Sequence, residues 1–265
     1  MTLDIMLNRI VKLVPNLSKR SLQVIYFHEV TKKTGFSYNM ININKFKRNM
    51  DYLVRNNYNT ITFEELNDPD IFSNIKDRKN ILITFDDGYI NNYELVFPFM
   101  KKNNLKFNVF LEAGAISQND NYITWDMVNE MSKSKLVGFG AHTFNHVDAR
   151  YIAESNLEEE IINANKLIYQ RTGLIVQDFC FPYGMYNTDI IQLLNQSEVY
   201  KRLYTSDGRR LYKELDLTLI GRVGIKDEDN LDTFKGKVNG KYNLLYRLNR
   251  IKNSRRKGYN SEVFR

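Results

Sequence analysis

The residues able to do chemistry in this chain are few and similarly placed. Thr84-Phe85-Asp86-Asp87-Gly88 sets two adjacent carboxylates directly after an apolar run, Ile81–Phe85. Two such carboxylates at a strand's end can face differently, one toward a metal and one toward a substrate, and Gly88 permits the tight turn between them and the next element. His142-Thr143-Phe144-Asn145-His146 follows a second strand-like run, Leu136–Ala141. Two imidazoles four residues apart can hold one metal ion from a helical turn or a tight loop. His28, in Tyr26-Phe27-His28-Glu29-Val30, ends a third such run. Each feature alone is ordinary, since Asp-Asp-Gly is a common turn and a lone histidine usually makes structural hydrogen bonds. Together they are less so. These are all 3 histidines of the chain, and with the aspartate pair they stand at the carboxyl ends of strands, the face on which α/β barrels build sites. Phe181-Pro182-Tyr183-Gly184 marks a fourth strand end, a rigid turn able to offer a backbone N–H.

Two neutral histidines and one carboxylate leave an open coordination position, a pattern suited to catalytic zinc. Such a metal lowers the pKa of a water to about 7 and polarises a carbonyl. The second carboxylate can accept the water's proton, and a histidine across the site can protonate a leaving amine. The backbone N–H can help stabilise the oxyanion. The chemistry this set can perform is hydrolysis of an amide or ester.

Positioning these groups requires repeated strands with helices between them. Leu22–Phe27, Ile81–Phe85, Phe107–Leu111, Leu136–Ala141, Gln177–Phe181, Val199–Tyr204 and Leu217–Val223 read as strands. Helical spacing appears over Asn44–Asn56, where Phe46, Met50 and Leu53 share a face, over Thr124–Ser132, and from Asn187 to Gln196. A helical stretch to Lys102 contains Pro98, which should end or bend it. Ser155 and Glu158 form a capping-box pattern ahead of an apolar stripe that Gly173 closes. Strand–helix alternation predicts parallel strands in a barrel or an open sheet.

The chain has 265 residues and a formal charge of +7, spread unevenly. From 233 to 265 there are ten Lys or Arg and one acid, Glu262, a net of +9, leaving 28 basic and 30 acidic groups elsewhere. Such a tail can meet anionic lipid or an acidic partner, and no nucleic-acid-binding motif accompanies it. The single cysteine, Cys180, excludes an internal disulfide, and between Phe179 and Phe181 it reads as a small buried side chain. No run of 18 apolar residues marks a membrane span. Leu3, Met6, Leu7, Ile10 and Val14 are interrupted by Asp4, Asn8, Arg9 and Lys12, which reads as an amphipathic segment rather than a secretory signal. The expected location is cytoplasmic, with peripheral membrane contact through the N-terminal segment or the tail.

The motifs resemble those of the polysaccharide deacetylases of carbohydrate esterase family 4, the NodB-homology domain. Thr84–Gly88, His142–His146 and Phe181–Gly184 are similar to the family's first three motifs, in the right order, and the likeness runs from Leu22 to Val223. The resemblance implies a distorted (β/α) barrel and an enzyme that removes N-acetyl groups from N-acetylglucosamine-type sugars in a glycan, with a divalent metal, usually zinc. It implies Asp86 as general base, Asp87, His142 and His146 as metal ligands, and the Tyr183 backbone N–H at the oxyanion. Two departures stand out. The arginine that commonly precedes the third motif and orients the base is missing from Asp178-Phe179-Cys180, so Arg222 in Gly221-Arg222-Val223-Gly224 is the candidate for that place. No histidine follows His146, so the family's late Leu-x-His motif, source of the general acid, is absent. The setting of His28 is similar to the N-terminal motif of the poly-N-acetylglucosamine deacetylases, whose acid histidine comes early, and Ile81–Tyr93 and Ile123–Met131 resemble the same branch. His28 is therefore expected to be the general acid.

The expected layout is a deacetylase domain over 1–232, carrying the N-terminal amphipathic segment, and a basic extension over 233–265. Two other readings share these motifs. One is a deacylase of a smaller or lipid-linked sugar, which a cytoplasmic location favours. The other is a glycan-binding relative without turnover, against which the Asp86-Asp87 pair argues, since binding alone needs no base.

Overall fold

The computed structural model describes residues 22–33, 39–68, 70–71, 79–152, 156, 158–208 and 218–242. The N-terminal amphipathic segment, the capping-box serine Ser155 and the tail beyond 242 lie outside the described residues.

The apolar run Leu22–Phe27 forms β1, buried throughout except at Tyr26. Two short strands, β2 (Glu29–Thr31) and β3 (Met40–Asn42), pair beside it. Helix α1 (Ile43–Arg55) begins where the Asn42 side chain accepts from the Asn44 N–H, and it buries Phe46, Met50 and Leu53. Then come β4 (Tyr58–Ile61) and β5 (Lys79–Phe85), the strand that delivers the aspartate pair. A wide turn at Asn92–Val96 leads into α2 (Phe97–Lys102). Pro98 falls in the first turn of α2, where a helix needs no N–H from it, so it starts this helix rather than ending it.

The fully buried β6 (Phe107–Leu111) is followed by α3 (Trp125–Lys133), capped by Thr124, and by β7 (Val137–Ala141). Helix α4 (Asn163–Thr172) ends at Gly173, whose left-handed φ of 73° matches the expected stop. β8 (Asp178–Cys180), α5 (Thr188–Ser197) and β9 (Arg202–Thr205) follow. The stretch expected as one strand over Leu217–Val223 is two, β10 (Leu219–Gly221) and β11 (Val223–Gly224). Last is α6 (Leu231–Val238), which crosses the expected domain boundary at 232 and buries Phe234 and Val238 in the core. Its lysines hide the apolar pattern. One of them, Lys237, is itself buried, donating to the Gly224 carbonyl at 2.8 Å and to Asp229 at 2.6 Å.

The strands run in the order β10-β9-β8-β7-β6-β5-β1-β11, every pairing parallel, with β4 beside the first half of β5. The two ends of that row are consecutive in the chain, separated only by Arg222. Its N–H donates to Thr205 and its carbonyl accepts from Gly208, on the β9 side, while Ile225 donates to Tyr26 on the β1 side. One residue thus carries the chain across the seam and brings the sheet round to a distorted (β/α) barrel. Parallel strands buried on both faces explain the near-continuous apolar runs. Phe27 and Phe85 stack at 5.3 Å, and Phe46 meets Phe27 edge-on at 5.5 Å. At the amino ends of β8 and β9 a buried ion pair, Arg202–Asp178, is completed by Tyr204 and Asn67, so its charges are satisfied away from the carboxyl-end rim.

Candidate active site

All seven residues singled out in the sequence stand at the carboxyl ends of the strands. The register of β1 on β5 aligns Phe27 with Phe85, so His28 and Asp86 are neighbours at adjoining strand ends. The Asp86 N–H donates to the Phe27 carbonyl at 3.0 Å. After it the backbone turns through left-handed conformations at Asp87 (φ 74°) and Gly88 (φ 82°), which is why the two carboxylates point apart.

Asp86, only 3% exposed, receives the Arg222 guanidinium as a fork, Nη1 to Oδ1 at 2.6 Å and Nη2 to Oδ2 at 2.8 Å. Burial pushes the Asp86 carboxyl upward, but the Arg222 charge and hydrogen bonds outweigh it and hold the pKa at about 2. Arg222 also donates to Thr84 Oγ1 at 3.0 Å, lies over the Tyr26 ring at 4.6 Å, and touches Cys180 Sγ at 2.8 Å. Burial keeps the Cys180 thiol protonated, in line with its reading as a packing residue.

Asp87 faces the histidines instead. Its Oδ1 lies 3.4 Å from His142 Nε2 and 3.3 Å from His146 Nε2. Neither contact has hydrogen-bond geometry, so this buried oxygen has no hydrogen-bond partner. The Nδ1 of His142 donates to the Cys180 carbonyl at 2.7 Å, which fixes the tautomer and leaves the Nε2 lone pair aimed at Asp87. Burial pulls the His142 pKa down to about 4, so the ring is neutral at neutral pH. Burial also lowers His146, but the adjacent Asp87 carboxylate more than offsets it and raises the pKa. Three donor atoms of the right types converge here with one of them orphaned. Four-coordinate zinc with bonds of about 2.0–2.1 Å has ligand–ligand edges of about 3.3–3.4 Å, the spacing found from Asp87 to each histidine. Asp87, His142 and His146 therefore form a group that can hold a metal ion.

The loop carrying the two histidines is strained and strapped. Thr143 (φ 61°) and His146 (φ 52°) are both left-handed. Glu160, buried on the Glu158–Ile162 turn, accepts from the Asn145 N–H at 3.0 Å and its Nδ2 at 2.7 Å, and its carbonyl takes the Phe144 N–H at 2.8 Å. Sequence reading missed Glu160 because it looks like one more acid in Glu158-Glu159-Glu160.

Tyr183 sits in the Pro182–Gly184 turn with φ 59°, its ring edge-on to His146 at 4.8 Å. Gly184 is needed there, since a Cβ would lie 1.9 Å from Ser206 Oγ. His28 is half-buried, its ring edge-on to Tyr26 at 5.7 Å. It follows β1 on the same rim as Asp86, which follows the paired end of β5.

Residues 73–201 match the sequence pattern of the polysaccharide deacetylase family. YxkH of Bacillus subtilis, assigned by name to the polysaccharide deacetylases, is 25% identical over 193 residues, covering 71% of this chain and 65% of that one. The chain thus spans slightly less than two thirds of that relative's length. The structure of IcaB from Ammonifex degensii superposes with a TM-score of 0.71 over 83% of this chain and 97% of that one, at 23% identity. The Streptococcus pyogenes deacetylase PplD, solved in complex with acetate, gives 0.74 over 82% and 98%, at 17% identity. At these identities the structural likeness establishes a shared fold, the NodB-type barrel. Among the described residues no helix is long and apolar enough to cross a membrane. The pattern match falls on the segment that bears the aspartate pair and both histidines of the His142–His146 loop, so residues 73–201 are similar to the polysaccharide deacetylase family in the part of the chain that carries the site.

Proposed function

We propose that this protein is a metal-dependent N-deacetylase of N-acetylglucosamine-type units in a glycan, with Asp87, His142 and His146 holding a divalent ion, zinc. The observation that carries this is the convergence of Asp87 Oδ1 and two imidazole Nε2 atoms at 3.3–3.4 Å, beside a separate carboxylate held in an arginine fork. The bound ion would polarise the acetamide carbonyl and make a water acidic near neutral pH.

The chain's own groups do the rest. Asp86, ionised at any pH above about 4, takes the proton of the attacking water as its oxygen bonds to the carbonyl carbon. Arg222 fixes the carboxylate's plane through two hydrogen bonds and keeps it charged. The Tyr183 backbone N–H donates to the oxyanion of the tetrahedral intermediate. His28 gives a proton to the sugar nitrogen as the C–N bond breaks, and acetate and a free amine leave. The test is acetate release from N-acetylglucosamine oligomers by zinc-loaded protein, with a chelator-treated control that is then reloaded. Release lost to the chelator and restored by metal supports the reading. Release that ignores the chelator removes the metal from the mechanism, and a protein that binds zinc but releases nothing points to the smaller-sugar or binding-only readings.

Glu160 gives a second expectation. Glu160→Ala should weaken zinc binding by about 10- to 100-fold, the usual scale for losing a group that orients the ligands. Glu160→Gln should retain most of it, because a flipped Asn145 amide can still pair with a glutamine side chain. Calorimetric zinc titration, alongside melting of the metal-free proteins, separates this from general destabilisation. Equal zinc affinity in Glu160→Ala would show that the strap does not set the ligand geometry.

A further inference from the structure

Of the five large apolar or aromatic side chains most exposed among the described residues, one lies against His146 and another follows His146 closely in the chain. They are Tyr183, 63% exposed, and Tyr151, 79% exposed. Tyr183 already lies against His146. Tyr151 ends the short turn Ala149–Tyr151, five residues beyond His146 in the same loop. The loops bearing the two tyrosines are tied together, since Asn187 Nδ2 donates to the Arg150 carbonyl at 3.3 Å.

The base under Tyr151 is built. Arg150 places its guanidinium over the Tyr151 ring, 5.2 Å from its centroid. That guanidinium is gripped by Asp148, with Nε at 2.9 and 3.1 Å from the two carboxylate oxygens and Nη2 on Oδ2 as well. Arg150 and Asp148 are themselves largely covered, at 19% and 18% side-chain exposure. The ring is thus backed on one side and open on the other, while the ion pair beneath it is neutral as a unit. An exposed tyrosine of this kind offers rigid apolar area at low entropic cost, with a hydroxyl at its edge. A neutral aromatic plane suits the C–H face of an uncharged pyranose ring.

We propose that Tyr151, on its Arg150–Asp148 base, is a sugar-stacking subsite for a neutral glycan unit next to the one whose acetamide reacts, with the Tyr183 ring as the wall between them. This rests on the deacetylase reading above, which it extends by making the substrate a chain of several neutral units.

The test measures kcat and KM for acetate release from N-acetylglucosamine monomer, dimer, tetramer and hexamer by wild type, Tyr151→Ala and Tyr151→Phe. Oligomer binding is followed in parallel by calorimetry. Tyr151→Ala should raise KM for tetramer and hexamer about tenfold, the scale of losing one ring's buried apolar area. Its kcat, its zinc content and its handling of the monomer should be unchanged, and Tyr151→Phe should behave as wild type. The same KM with every length, an equal loss at every length, or a changed oligomeric state in place of a changed KM would overturn the subsite. If wild type releases no acetate, calorimetry still decides. Tetramer binding weakened by Tyr151→Ala then supports the subsite while the deacetylase reading falls, and no oligomer binding sinks the subsite itself.

Discussion

Asp86→Asn is expected to lower kcat by about three orders of magnitude, within the range for removing a general base, while metal content stays unchanged. Asparagine matches aspartate in shape, so the Asp87, His142 and His146 group is left in place. It cannot accept the proton of the attacking water. Kinetics and metal analysis on one preparation decide the matter, and loss of the metal instead would mean the two aspartates have exchanged roles. The same variant tests the electrostatics. Asp86 has a folded-state pKa of about 2, below its ordinary value of 3.8. Its charge therefore stabilises the fold fully above about pH 4, and that contribution fades as pH falls toward 2. The difference amounts to about 2 kcal/mol. Wild type should lose about that much more stability than Asp86→Asn across the interval, read from urea midpoints. Parallel acid sensitivity in the two proteins would show that the Arg222 pairing does not hold the charge.

Arg222→Met should be the most destabilising single change at the site, by about 3–5 kcal/mol, because it strands a buried carboxylate without its partner. Methionine fits the volume, and the seam's backbone bonds at residue 222 do not need the side chain. In the Asp86→Asn background the same substitution should cost about half as much or less, since no buried charge remains to be stranded. Arg222→Lys keeps the positive charge but cannot form the fork. It should fold and bind zinc as wild type does, yet lose about tenfold or more in kcat as Asp86 loses its fixed orientation. Costs of Arg222→Met and Asp86→Asn that simply add would separate the two residues energetically.

Much of the barrel was legible in the chain because parallel strands are buried on both faces and so appear as unbroken apolar runs. β1 and β6 coincide with their expected bounds, and β5 and β7 lie within two residues of theirs. The elements that were harder to read fail for specific reasons. The strand expected over Val199–Tyr204 lies at Arg202–Thr205, and its shifted start falls on Arg202, a buried charge whose partner Asp178 is 24 residues away. The split between β10 and β11 depends on one residue crossing a seam between strands from opposite ends of the chain. α6 carries buried Lys237, whose partners Asp229 and Gly224 only the fold supplies.

The site divides in the same way. Sequence alone brought Asp86, Asp87, His142 and His146 into view, because they fall in two short runs at strand ends, where local geometry governs spacing. It also offered Arg222 as the candidate to orient Asp86, which stands 136 residues away in the chain, and the fold supplies that contact. That contact, the Glu160 strap on Asn145, and the exposure of Tyr151 were decided by tertiary structure. Barrel closure sets which strand ends become neighbours, and burial there makes an ion pair, an orphaned carboxylate oxygen or a bare ring energetically significant.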